Sequence, residues 1–226
     1  MNKKNIILIF LLIAISASIY YLNSQKASFN PEKEIKTIAN KQVQVQNAEV
    51  AETEAQASGY IQDENAINRK KSLYQQAPEL TGIAGYINTN PDIKIQNLKG
   101  KIVLVDFWTY TCINCIRTLP YLKDWHDKYA DKGLVIVGVH TPEFEFEKEF
   151  DNVKSAVEKY ELKYAVVQDN NYETWRAYKN RYWPHKYLID IDGFIRYDHI
   201  GEGAYAETER VIQELLKEKM EREGDV

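Results

Sequence analysis

Between residues 101 and 200 the chain alternates short apolar runs with stretches whose apolar residues recur every three or four positions. No other feature restricts the fold as strongly. KIVLVDFW (101–108) follows Gly100 and has buried-strand character. Leu119, Leu122, Trp125 and Tyr129 then recur at helical spacing, and Gly133 is expected to close that helix. LVIVGVH (134–140) reads as a second strand. Phe146, Phe150, Val153, Val157 and Tyr160 form a second helical stripe. YAVVQ (164–168) is a third strand, followed by a short helix over 172–178. KYLID (186–190), Asp192-Gly193 and FIRYDHI (194–200) read as an antiparallel hairpin. Val211, Ile212, Leu215 and Leu216 give the last helix an apolar face. The order β-α-β-α-β-α-β-β-α predicts an α/β fold: a mixed central sheet flanked by helices. GYIN (85–88) and DIKI (92–95), joined through Thr89-Asn90-Pro91, are a candidate leading hairpin.

The first 75 residues lack this texture. Lys3 and Lys4 precede Ile6 to Leu22, an apolar run broken only by Ser16 and Ser18. It is near the lower limit for a membrane span of about 17 to 25 residues. A signal-anchor with its lysines in the cytoplasm and its Tyr20 and Tyr21 at the far interface is the preferred reading. A cleaved signal peptide, with Ala14-Ile15-Ser16 at the cleavage spacing, is the competing one. Both export the remainder of the chain. Residues 23–75 are rich in Lys, Gln, Glu, Asn and Ala and read as a flexible tether, with a short helix between about Asp63 and Tyr74. As a coil it would span roughly 40 Å. The expected organisation is therefore a membrane segment or signal peptide at 1–22, a tether at 23–75, a folded domain at 76–221 and a tail at 222–226. The chain has 33 acidic and 29 basic side chains. That mildly acidic balance argues against a broad phosphate-binding surface, and so against nucleic acid as a partner.

Only two cysteines are present, Cys112 and Cys115, and they follow the first long strand and open its helix. Residues at i and i+3 share a helical face. The helix N-terminus favours a thiolate at Cys112, and thiolate is the species that attacks a disulfide. Cys115, one turn further in, would be less exposed and could resolve the mixed disulfide. Two alternatives stand beside redox chemistry. A structural staple would close a very small loop, worth roughly 2 kcal/mol in the chain-entropy model. A zinc site needs four ligands, and His126, His140, His185 and His199 are dispersed. Redox chemistry fits the placement best.

The stretches FWTYTCINCIRTLPYL (107–122), GVHTPEFEFE (138–147), NRYWP (180–184), WPHKYLIDIDG (183–193) and GEGAY (201–205) together resemble the thioredoxin-like superfamily. Within it the likeness is to the TlpA/ResA group and most of all to the thioredoxin domain of DipZ-type proteins. It covers about residues 77–220 and rests on separated motifs in the correct order. The resemblance implies a thioredoxin-like fold and a thiol–disulfide oxidoreductase without cofactor or metal. Cys112 matches the attacking and Cys115 the resolving cysteine. Asp106 matches a buried acid that relays a proton for the resolving thiol, its pKa raised by desolvation; a carboxylate capping backbone is the plainer role. Trp108 matches the tryptophan beneath the motif, and Pro120 the proline that kinks the active-site helix. Pro184 matches the proline that follows a cis peptide bond opposite the cysteines. Trp183 is then a candidate for shielding the sulfurs, for substrate contact or for core packing.

There are departures from the common pattern. Ile113-Asn114 stands between the cysteines where many thioredoxins carry Gly-Pro. This pair adds no charge, which leans toward a reductant or disulfide exchanger. Arg117 and His185 lie close to the motifs without an assigned role. EFEFEKEF (143–150) reads as a solvated acidic face or an element orienting a basic partner, and LKEKMEREGDV at the end as a solvated helix terminus. The expected partners are disulfide-containing exported proteins, apocytochrome c among them, and a separate membrane electron donor of the CcdA/DsbD type. A thioredoxin-fold copper carrier using both thiolates with His185 or His199, and a peroxiredoxin-like peroxide reductase, are the other function classes.

Overall fold

The computed structural model describes residues 13–24, 36, 40–46 and 64–224. The chain divides into two compact units, Met1–Glu64 and Asn65–Val226. In the first, residues 13–24 and 40–46 are helical. Among the described residues no helix is long and apolar enough to cross a membrane. The expected membrane segment falls partly outside them, since residues 1–12 are not described, and so does much of the expected tether.

The second unit is built on a six-stranded sheet. Its strands are β1 (Gly85–Ile87), β2 (Ile102–Trp108), β3 (Leu134–His140), β4 (Ala165–Gln168), β5 (His185–Ile189) and β6 (Ile195–Ile200). Its helices are α1 (64–73), α2 (Ile113–Tyr129), α3 (Phe150–Lys159), α4 (Glu173–Ala177) and α5 (Tyr205–Glu223). The spatial order is β1-β4-β3-β2-β5-β6. β2, β3 and β4 run parallel, while β1, β5 and β6 pair antiparallel, so the sheet is mixed as expected.

β2 shows how the pattern becomes layers. Every residue of it is buried, because both faces of the sheet are covered. Its odd and even positions enter different cores. Ile102, Leu104 and Trp108 join Leu119, Leu122 and Trp125 of α2 and Ile212, Leu215 and Leu216 of α5. Val103, Val105 and Phe107 join Val137, Val139, Val167, Trp175 and Tyr178 on the other side. Phe107 meets Trp175, Tyr178 and Tyr187 edge-on at 5.3 to 5.9 Å. Asp106, by the same alternation, shares the face of Leu104 and Trp108, beneath α2. Trp125 is 1% exposed in the α2 core. Trp125→Ala is expected to cost about 3–5 kcal/mol, read as a lower urea midpoint at unchanged slope.

Four expectations change. The leading hairpin does not form: 85–87 pairs with β4 through Gly85↔Gln168, while Ile95–Leu98 turns into a 3₁₀ helix. Pairing at the open sheet edge satisfies a full row of backbone groups, which a two-strand ribbon could not match. The second helical stripe begins at Phe150, because Glu145–Lys148 forms its own 3₁₀ turn and leaves Phe146 half exposed. α2 ends at Tyr129, ahead of Gly133, whose φ of 107° serves the turn into β3. Residues 70–77, assigned mostly to the tether, are held against the β5–β6 hairpin. Lys70 Nζ lies 2.8 Å from Asp190, 2.7 Å from Asp192 and 2.6 Å from Glu218. Ala77 N–H donates to the Gly193 carbonyl, and Ile195 N–H to that of Gln75. Lys70 is one of many lysines in a polar stretch, and its acidic partners come from distant residues, so local sequence carries no sign of this attachment.

Candidate active site

The cysteines sit where β2 hands over to α2. Cys112 is the N-cap of α2, with extended backbone, and its sulfur accepts the Cys115 backbone N–H at 3.2 Å. Both thiols are free. Cys112 is half-buried, whereas Cys115 is 1% exposed and packs in the α2 core with Trp108. The Cys115 thiol donates to the Cys112 sulfur, and the N–H groups of Cys115 and Asn114 add to it. Together they outweigh burial and bring the Cys112 pKa down to about 7. Cys115 moves the other way. Burial pushes it far above the ordinary thiol range, helped by its role as donor to Cys112. One sulfur is therefore ready to attack at neutral pH, and the other holds its proton.

Asp106 is 1% exposed, and its Oδ1 has no hydrogen-bond partner. It lies inside β2, which continues two residues past it. Burial raises its pKa to about 7; the Lys186 ammonium offsets part of that, and negative charge on Cys112 adds to it. Lys186 lies directly across the antiparallel β2/β5 pair from Asp106. It is fully buried and donates to the Gly201 carbonyl at 3.2 Å. Burial lowers its pKa, opposed by Asp106 and then by Cys115. Asp106, Lys186 and the two thiols thus form one electrostatic unit. Lys186 was not among the expected site residues. A lysine among the apolar residues of KYLID is the only local sign of it.

The other expected residues surround this unit. Trp108 is buried in contact with the α2 core, edge-on to His140 at 5.3 Å. Gly138 makes room for it: a Cβ there would come within 3.0 Å of the Trp108 indole nitrogen. Pro120 lies inside α2 and cannot donate to the Ile116 carbonyl. The Trp183–Pro184 peptide is cis. Trp183 is half-buried, packs on Trp175 at 4.2 Å, and donates through Nε1 to the Thr141 carbonyl at 3.1 Å. His185 turns away from the sulfurs. Its Nε2 faces Asp198 Oδ2 at 2.9 Å, and its Nδ1 faces Asn180 Oδ1 and the Tyr187 hydroxyl. Arg117 is exposed, 3.5 Å from Glu202. Among the described residues no group of three or more His, Cys, Asp or Glu side chains could hold a metal ion.

Two further groups lie beside the motif. Glu147 is buried, which alone would raise its pKa, but hydrogen bonds from Thr109, Thr111, Phe144 N–H and Glu143 N–H hold it below the usual carboxylate range. His140 is buried and pushed down to about 4, so it is neutral at pH 7, with Nε2 at 3.3 Å from the Thr109 hydroxyl. Both occur in the GVHTPEFEFE stretch, where a run of exposed-looking acids hid the one that turns inward.

The model of the AhpC/TSA family matches residues 73–198. Protein DipZ of Mycobacterium bovis is 47% identical over 144 residues, covering 63% of this chain and 21% of the relative. The chain thus spans about a fifth of the length of the DipZ proteins that it matches. Thiol-disulfide oxidoreductase ResA of Bacillus cereus is 32% identical over 123 residues, covering 54% of this chain and 68% of the relative. A solution structure of a thioredoxin-like protein in the oxidised form is similar with a TM-score of 0.59 and 28% identity, covering 65% of this chain and 97% of that one. The family model takes in more than half of the chain, and the ResA match spans two thirds of that relative: the chain belongs to the AhpC/TSA family and folds as a thioredoxin-like domain.

Proposed function

We propose that the domain is a thiol–disulfide oxidoreductase that reduces or exchanges disulfides of other proteins. The observation that carries this reading is the asymmetry of the cysteine pair: Cys112 half-buried with its pKa near 7, Cys115 buried with its pKa raised. In the first step the Cys112 thiolate attacks one sulfur of a substrate disulfide. That S–S bond breaks, a Cys112–substrate disulfide forms, and one substrate thiolate leaves. In the second step Cys115 gives its proton to Asp106 and attacks the Cys112 sulfur. The Cys112–Cys115 disulfide forms, and the second substrate thiolate leaves. Two electrons pass to the substrate, and no organic cofactor takes part. Reduction of the pair by a donor dithiol restores the starting state.

The reading extends to location and partners. The lysine-led apolar run supports anchoring in the cytoplasmic membrane with the domain on the periplasmic or outer face. In such an oxidising compartment the pair stays oxidised unless electrons are delivered. A membrane donor of the CcdA/DsbD type fits that need. The substrates are then exported proteins with disulfides, apocytochrome c among them.

Two measurements on the full chain test the proposal. Reduced protein is expected to reduce insulin catalytically in the presence of dithiothreitol while leaving hydrogen peroxide at the background rate. Its iodoacetamide alkylation is expected to follow one ionisation near pH 7, matching the Cys112 pKa. Insulin turnover no faster than dithiothreitol alone removes the assignment. Rapid peroxide consumption would replace it with a peroxidase.

A further inference from the structure

The segment joining β3 to α3, residues 141–149, turns two phenyl rings into solvent and is held rigidly while doing so. Thr141 N–H donates to the Trp108 carbonyl at 3.0 Å, and its own carbonyl accepts the Trp183 indole N–H. The Pro142 carbonyl accepts the Tyr172 hydroxyl. The Phe146 carbonyl accepts Asn152 Nδ2 at 2.9 Å and the Tyr110 hydroxyl at 3.3 Å. The Lys148 carbonyl accepts Asn170 Nδ2 and Gln168 Nε2. Inside the loop the buried Glu147 carboxylate folds back to take the N–H groups of Glu143 and Phe144 at 2.6 and 3.0 Å. It also takes the hydroxyl of Thr111, the residue next to Cys112.

This framework leaves Phe144 50% and Phe146 52% exposed, stacked on each other at 5.6 Å with planes 4° apart. Ile113, between the two cysteines, is also more than half exposed. The surround is acidic. Residues 143–151 contain five carboxylates and one lysine, and that lysine, Lys148, is 2.7 Å from Glu145. Glu143 is exposed, and its charge is felt at Cys112, where it opposes the thiolate.

We infer that residues 141–149 form the docking surface for the polypeptide that carries the target disulfide. It takes an apolar side chain on the Phe144–Phe146 stack and a lysine or arginine against Glu143, which brings the neighbouring S–S bond to Cys112. The inference rests on the oxidoreductase reading and names the substrate class of that site. A rigid aromatic pair supplies binding area at little ordering cost. The acidic rim attracts basic segments and repels acidic ones.

The test compares kcat/KM of the full chain for two disulfide-linked peptides and for 2-hydroxyethyl disulfide. The peptides are identical, each with a leucine beside its cysteine, except for lysine or glutamate two positions further on. The wild type is expected to prefer the lysine peptide about fivefold, less so at high salt. Phe144→Ser with Phe146→Ser is expected to lower the ratio of the lysine-peptide rate to the small-disulfide rate about tenfold. Glu143→Gln should remove most of the lysine preference. Equal rates for both peptides, with a ratio that the serine substitutions leave within twofold, overturn the docking surface alone. A wild type that reduces neither peptide, nor insulin, above the dithiothreitol background overturns the oxidoreductase reading and the docking surface with it.

Discussion

Cys112→Ser is expected to reduce disulfide reduction to the uncatalysed background, and Cys115→Ser to halt it midway as a covalent complex with substrate. The two outcomes differ because the two sulfurs differ. Cys112 is the half-exposed member, and its pKa near 7 gives a large thiolate fraction at neutral pH. A serine hydroxyl at that position neither ionises at neutral pH nor forms a bond to sulfur that a second thiol could resolve, so no other group in the site substitutes for it. Cys115 is buried and keeps its proton, so it does not compete for the first attack. Its removal leaves the first step intact and the second without a nucleophile. Insulin turnover checks the first variant. Non-reducing electrophoresis and intact mass, showing a Cys112–substrate adduct that dithiothreitol releases, check the second. Applied in the native host, the same trap identifies the electron donor and the target. Turnover by Cys112→Ser, or failure of Cys115→Ser to hold any adduct, contradicts the assigned order of attack.

Asp106→Asn is expected to stabilise the protein at alkaline pH while slowing its second chemical step. The carboxyl has a folded-state pKa of about 7 against an ordinary 3.8. Between those values the folded chain holds a proton that the unfolded chain has lost. Stability therefore falls as pH rises through that window, and the loss is complete above pH 7. Roughly three pH units at about 1.36 kcal/mol each bound the effect near 4 kcal/mol for this fully buried group. Asparagine does not ionise and escapes the loss. It also leaves Lys186 without its opposite charge, which offsets part of the gain, so about 2 kcal/mol at pH 8 is expected. Below pH 4 the gain should vanish or reverse. Urea unfolding at pH 4 and pH 8 checks the sign. For catalysis, the pH profile of the second step should lose its limb near pH 7. Lys186→Met is the complementary variant. The ammonium holds the Asp106 pKa down, so its removal should shift that limb to higher pH. A profile unchanged in both variants excludes Asp106 as the proton acceptor.

Much of the domain was legible from local pattern. β2 and β3 are continuous apolar runs covered on both faces, α2 and α5 carry single apolar stripes, and Asp192-Gly193 fits the tight turn between β5 and β6. The CxxC pair was legible for the same reason: a strand end, two sulfurs three residues apart and a helical stripe all lie within about twenty-five residues. The cis bond before Pro184 followed from motif likeness, since nothing in the local pattern distinguishes it from a trans one. β1 was misassigned because a short apolar stretch at a sheet edge has no preference for one partner over another until the rest of the sheet exists. Phe146 was drawn into a helix because its spacing from Phe150 and Val153 suits one, and spacing is blind to the Glu147 carboxylate that closes a separate turn.

What the amino-acid order determined by itself is the main succession of strands and helices from residue 101 onward, the apolar face of the long ones, and the position of two thiols at a helix start, because these depend on periodicity and on neighbours along the chain. Only the tertiary structure decided that Asp106 faces Lys186 across β2 and β5, that Lys70 reaches Asp190 and Glu218, and that two phenylalanines stand outward on a loop tied through Glu147 to Thr111, the residue before Cys112. Those relations depend on strand register and on which surfaces exclude water. Both are settled when remote segments pack, and neither leaves a mark in any short stretch of sequence.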